Sequence, residues 1–273
     1  MIDESQTWTP PLPPPPPENV VSYPDKPHWG PLAGIGVWLF SIAMVVIIPL
    51  AGMAVWFGIY VAKGNPIPAT PEAINAWVTT EVSGLIQVLG NVPAHLITLA
   101  LCWYVATGRG KVPFGVALGW RWEGYSLRAK IGYVCFVIAG VFAVLYFLTR
   151  VMPPPEETAF DKLLKISPSV RIAVALMAVL SAPIVEEVVY RGVLFAGLVK
   201  KLGGVPTIIV VTLLFAGVHF PQYLESLQGI IGLTFLSLVI TIVRAQTRSI
   251  FPCILIHLIY NTIGAIEILR MKG

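Results

Sequence analysis

The sequence predicts an all-α fold, a polytopic membrane helix bundle of about seven transmembrane helices, on three observations. Of the 273 residues, 56% are hydrophobic and only 12% are charged, about half the charged share of an ordinary soluble domain. The mean hydropathy is +0.79. The apolar residues also gather into continuous runs near 32–62, 82–106, 129–150, 171–199, 205–222, 227–244 and 250–270. A helix needs roughly 20 residues to cross about 30 Å of hydrocarbon, and most of these runs reach that length. A membrane β-barrel would instead alternate polar and apolar residues in strands of about ten.

The chain divides into a proline-rich tail, 1–30, and a membrane domain, 31–273. The tail centres on PPLPPPPP, which favours extended polyproline conformation with disordered flanks over any packed element. It lacks the basic start and apolar core of a cleavable signal peptide. Its Trp29 stands beside the first apolar run, where a tryptophan suits an interfacial anchor.

The second run carries His95, which is read as a satisfied interhelical hydrogen-bonder. The stretch VPFGVALGWRWEGYSLRAK follows, mixing aromatic and basic residues as an interfacial segment would. Arg109, Lys111, Arg121, Arg128 and Lys130 crowd this connection between the second and third runs. The positive-inside rule therefore puts it in the cytoplasm, with the N-terminus on the same side and the C-terminus outside. The expected setting is the cell (plasma) membrane, crossed several times.

The net charge of +4 and the isoelectric point near 9.0 do not indicate a nucleic-acid partner. The cations are scattered at the ends of apolar runs and form no basic stripe. Cys102, Cys135 and Cys253 lie inside apolar runs without metal-ligand spacing and read as small hydrophobes. The ending LRMKG is no lipidation signal.

The fourth run contains VEEVVYRG, Val185–Gly192, which sets three charges where hydrocarbon is expected. An Arg at the middle of a span costs about 2.5 to 3.5 kcal/mol on insertion scales, so such residues face the protein interior, pair, and serve a function. Glu187 and Arg191 stand four apart with the acid first, the favoured order for a helical ion pair. Glu186, five residues from the Arg, needs a partner from another span, as a general base in a partly desolvated site would.

His219 in the fifth run answers that need. If the chain reverses near Gly203, Glu187 lies 16 residues before the turn and His219 lies 16 after it, at similar depth in antiparallel helices. Pro183 should kink the fourth span and open room beside the carboxylates. In the last run His257 and Asn261 share one helical face. Two Glu, two His, one Asn and one Arg thus converge, an inventory suited to hydrolysis by an activated water. Each has a structural alternative, such as a Glu–Arg pair that only holds helices together.

At this point the residues resemble the CAAX-protease and bacteriocin-processing (CPBP, Abi) intramembrane proteases, which include the type II CAAX prenyl endopeptidases. That family's pattern is E-E-x-x-x-R, then F-x-x-x-H, then H-x-x-x-N on successive helices. The counterparts here are EEVVYR (Glu186 to Arg191), FAGVH (Phe215 to His219) and HLIYN (His257 to Asn261), within roughly 170–265. The resemblance implies an intramembrane endopeptidase acting on a membrane-associated or lipidated polypeptide. Glu186 with His219 would activate the water, His257 with Asn261 would stabilise the oxyanion, and Glu187 with Arg191 would organise the site or contact the substrate. It also implies a possible divalent metal, Zn²⁺, held by Glu186, His219 and His257, although no H-E-x-x-H is present. The alternatives are a proton- or ion-coupled transporter using the same side chains as a relay, and a non-catalytic immunity or scaffold protein, for which the intact motifs would be incidental.

Overall fold

Each apolar run is helical in the computed structural model, which describes residues 27–153 and 156–271. Helix accounts for 81% of these residues, and no strand occurs among them. Seven helical stretches among them are long and apolar enough to cross a membrane: Pro31–Ala62, Glu81–Ala106, Leu127–Val151, Pro168–Leu202, Gly204–Tyr223, Leu227–Thr247 and Phe251–Arg270. The proline-rich run of the tail lies outside the described residues.

Local chemistry sets where each element starts and stops. The first span is the single helix α1 (Pro31–Ala62), opened by a proline at its first position, where a missing N–H costs nothing. A short α2 (Pro71–Val78) is capped by Thr70. The second span divides at Gly90 into α3 (Glu81–Leu89) and α4 (Asn91–Ala106). After the one-turn α5 (Phe114–Ala117) comes α6 (Leu127–Val151), whose first turn is capped by the Ser126 hydroxyl. A capping box between Thr158 and Asp161 starts α7 (Ala159–Lys165), satisfying two of the orphan N–H groups at its start.

The fourth span is assembled from pieces: α8 (Pro168–Leu180), α9 (Ala182–Glu187), a π-helical turn Val188–Leu194, and α10 (Phe195–Leu202). The break expected from Pro183 falls at Ser181, because a proline disturbs the turn preceding it. Gly203, with φ of +81°, reverses the chain into α11 (Gly204–Tyr223). Few residues other than glycine adopt that angle without strain. α12 (Leu227–Thr247) and α13 (Phe251–Arg270) complete the bundle.

Two expectations are corrected. Trp29 is no interfacial anchor: it is buried, and its indole N–H donates to the Val193 carbonyl at 2.9 Å. Packing against Gly197, where an added Cβ would lie 3.0 Å from the Gly30 carbonyl oxygen, admits the indole. The connection between spans two and three does not simply lie along the surface either. Ala117 and Leu118 are wholly buried, and the Gly119 carbonyl accepts from the Ile250 N–H at 3.1 Å. Both segments tuck inward because the fourth span offers them apolar surface and an unmatched carbonyl.

Three buried clusters hold the helices together. The largest surrounds the π-helical turn, where Val188, Val193, Leu194 and Phe195 meet Trp29, Val37, Leu118 and Phe215. A second joins α6, α12 and α13 through Val141, Leu236, Ile240 and Ile256, and a third joins α3, α7 and α8 through Val88, Leu164 and Val170. Large apolar side chains such as Leu50 and Phe136 remain exposed on the outer faces, as a lipid-facing surface requires.

Candidate active site

The π-helical turn follows directly on Glu187. Widening a helix from i−4 to i−5 bonding leaves backbone groups out of step, and such turns recur at functional sites. Two carbonyls of the turn find side-chain donors from elsewhere in the chain. Arg244 Nε donates to the Arg191 carbonyl at 2.9 Å, and Trp29 Nε1 donates to that of Val193 at 2.9 Å. Trp38 Nε1 adds a bond to the Tyr190 hydroxyl at 3.2 Å.

Glu187 and Arg191 are 0% exposed and form the expected pair, with Arg191 Nη1 donating to Glu187 Oε1 at 2.9 Å. The other guanidinium donors go to α12: Nε to the Thr241 hydroxyl at 3.2 Å, and Nη2 to the Ser237 hydroxyl at 2.9 Å and carbonyl at 3.1 Å. The guanidinium also lies 4.7 Å from the centre of the Phe215 ring. A buried charge must be paired and hydrogen-bonded to be tolerated, and Arg191 meets that condition within the protein. Ser237, Thr241 and Arg244 follow at i, i+4 and i+7, so this polar stripe on α12 was readable from sequence.

His257 joins the same carboxylate. Its Nδ1–H donates to Glu187 Oε1 at 2.8 Å, and its Nε2 lies 3.8 Å from Glu186 Oε2. Glu186 was expected to find its interhelical partner in His219; the side chain that approaches it is instead His257, on α13. Unlike Glu187, the Glu186 side chain is 22% exposed. It faces a cavity of about 1280 Å³ that His219, His257 and Asn261 also line, together with Tyr190 and Phe215.

The tautomer of His219 follows from its surroundings. Its Nδ1 lies 2.9 Å from the Phe215 carbonyl, which can only accept, so Nδ1 carries the hydrogen and Nε2 is left for the cavity. The imidazole stacks on Phe215 at 4.6 Å, which limits its rotation. Asn261 donates from Nδ2 to the Ala178 carbonyl at 2.8 Å. That carbonyl is in the last turn of α8, so one amide hydrogen of Asn261 secures the break that precedes Glu186.

All six sequence-selected residues are thus brought together in two layers. Glu186, His219, His257 and Asn261 line the cavity, while Glu187 and Arg191 sit behind them and brace His257. His95 hydrogen-bonds between helices as expected, its Nδ1 lying 2.6 Å from the Ser181 hydroxyl, but it also lines the cavity. Among the described residues, no group of three or more His, Cys, Asp or Glu side chains is arranged to hold a metal ion. As they stand, Glu186, His219 and His257 do not form such a group, although the His257 Nδ1–H bond to Glu187 leaves its Nε2 toward Glu186.

Residues 168–263, which carry all three motifs, match the family model described as type II CAAX prenyl endopeptidase Rce1-like. The UPF0177 protein YvdC of Lactococcus lactis subsp. lactis (strain IL1403) is 24% identical over 225 residues, covering 80% of this chain and 79% of that protein. No solved structure matches the chain. The Glu-Glu-Arg, Phe-His and His-Asn motifs and the family match thus coincide on one segment: residues 168–263 of this integral membrane protein are similar to the Rce1-like type II CAAX prenyl endopeptidases.

Proposed function

We propose that the protein is an intramembrane endopeptidase that hydrolyses a peptide bond of a membrane-associated or lipidated polypeptide with a water activated by Glu186 and His219. The observation that carries this reading is the convergence of Glu186, His219, His257 and Asn261 on one cavity, with Glu187 and Arg191 buried behind them. The Glu186 carboxylate and His219 Nε2 hold the water between two acceptors. Glu186 takes its proton as the oxygen attacks the scissile carbonyl, and the same proton passes to the departing amine. A protonated His257 Nε2 and the second amide hydrogen of Asn261 are the donors for the oxyanion, the kind of preorganised stabilisation that lowers such barriers most. Glu187 keeps the His257 ring oriented, and Arg191 holds Glu187 in place.

The test uses purified protein in detergent or proteoliposomes with farnesylated and unmodified CAAX-terminated peptides, each with and without a chelator. Wild type should release the C-terminal peptide. Glu186→Gln should lose at least about a hundredfold in turnover, within the range for removing a positioned proton acceptor, with an unchanged thermal transition. Retained cleavage by the variant would remove Glu186 from the role of base. Loss of cleavage with chelator would bring in a metal held by Glu186, His219 and His257. Proton flux in proteoliposomes with no peptide cut would favour the relay reading.

A further inference from the structure

The second span carries a polar stripe that the motifs leave unused. Gln87, Asn91, His95 and Thr98 all line the same cavity as Glu186, and they lie outside the matched segment 168–263. Their donors are engaged within the protein. Gln87 Nε2 donates to the Val78 carbonyl at 3.3 Å, and Asn91 Nδ2 donates to the carbonyls of Gln87 at 2.9 Å and Val88 at 3.3 Å. His95 Nδ1 shares a hydrogen with the Ser181 hydroxyl. What remains on Gln87 and Asn91 is an atom able to accept, Oε1 and Oδ1, and His95 adds Nε2, an acceptor in the tautomer whose Nδ1–H donates to Ser181; none of the three meets a partner among the described residues. The Thr98 hydroxyl, 1% exposed, also has no partner among them.

The spacing of these acceptors is specific. Residues four apart on a helix are separated by about 6 Å along its axis. In an extended chain, the N–H groups pointing to one side recur every second residue, roughly 6.6 Å apart. Gln87, Asn91 and His95 therefore offer acceptors nearly in step with alternate N–H groups of an extended peptide. Polar side chains in a membrane helix need a reason to be there, and amides spent on their own backbone suit reading a main chain better than reading side chains.

We propose that this stripe on α3 and α4 is the substrate-binding edge of the cavity, holding an extended polypeptide segment by alternate main-chain N–H groups beside Glu186. The inference rests on the endopeptidase reading and adds how the substrate lies. It makes recognition along the stripe tolerant of side-chain sequence and strict in register.

The experiment leaves the stripe intact and edits the ligand. A dansyl-labelled, farnesylated CAAX-terminated peptide is prepared with ester oxygens replacing N–H at alternate positions, in each of the two registers and away from the scissile bond. Binding is measured on Glu186→Gln protein and turnover on wild type. One register should weaken binding roughly tenfold, the scale of lost hydrogen bonds, while the other changes it less than threefold. Gln87→Leu and Asn91→Leu, with thermal transitions monitored, should weaken the unmodified peptide and erase the difference between registers. Equal binding in both registers, or no binding of the peptide, overturns the stripe. Cleavage by wild type without register dependence leaves the endopeptidase reading standing and removes this inference. Register-dependent binding without any cleavage does the reverse.

Discussion

Glu187 and Arg191 show how much one residue pair decides. Both are 0% exposed, and Glu187 Oε1 receives both Arg191 and His257. Removing the Arg leaves a buried carboxylate without its cation, a change that costs about 3–5 kcal/mol in comparable sites. Arg191→Met should therefore lower the thermal transition in detergent sharply and reduce folded yield. Arg191→Lys should recover little, because an ammonium cannot serve Glu187, Ser237 and Thr241 at once in the planar pattern a guanidinium offers. A lysine variant with wild-type stability would mean that the fork geometry is unimportant. The Glu187–Arg191 pair was legible from its four-residue spacing. Its third member was not, because His257 lies 70 residues away and only packing brings it to the carboxylate.

At the scale of elements, the π-helical turn Val188–Leu194 is the part that local sequence conceals. VVYRGVL continues an apolar helical run, and nothing in its periodicity asks for a wider turn. The turn persists because donors from two distant elements meet its carbonyls, Trp29 from before α1 and Arg244 from α12. Trp29→Phe keeps the apolar contact and removes the N–H to the buried Val193 carbonyl. The expected result is a loss of about 1–3 kcal/mol, read as a lower thermal transition, with turnover falling further than stability alone explains because Glu186 and Glu187 immediately precede the turn. Unchanged turnover in Trp29→Phe would separate the turn from catalysis. The break at Ser181 belongs to the same scale: Pro183 announced it, while the partners through which His95 and Asn261 hold it, Ser181 and Ala178, were invisible in sequence.

For the whole molecule, the cavity has a direction. Its lining runs from Tyr190 and Phe215 toward Thr149, Thr158, Gln222, Gln228 and Glu267. The latter five gather at the C-terminal ends of α6, α11 and α13 and the starts of α7 and α12. The opposite end carries the basic connection from Arg109 to Lys130 and the Lys200 and Lys201 of the last turn of α10. If that basic end is cytoplasmic, as the positive-inside rule predicts, the cavity extends toward the other face. In a background with the native cysteines replaced, Glu225→Cys should react with a membrane-impermeant maleimide on intact cells, and Glu123→Cys only after permeabilisation. The reverse pattern would turn the molecule over and give the cavity to the cytoplasmic side.

The sequence by itself determined the class of fold, the seven spans, the reversal at Gly203 and the six residues that carry the candidate chemistry. These follow from local rules: the length an apolar run needs to cross a bilayer, the backbone freedom of glycine, and the cost of placing charge in hydrocarbon. Only the tertiary structure decided which carboxylate faces the cavity and which is walled behind it, that Glu186 meets His257, and that Trp29 enters the core. It alone placed the Gln87, Asn91 and His95 stripe against the site. Those outcomes depend on contacts between residues dozens to more than a hundred positions apart, and a helix's period fixes its faces without saying which neighbour each face will meet.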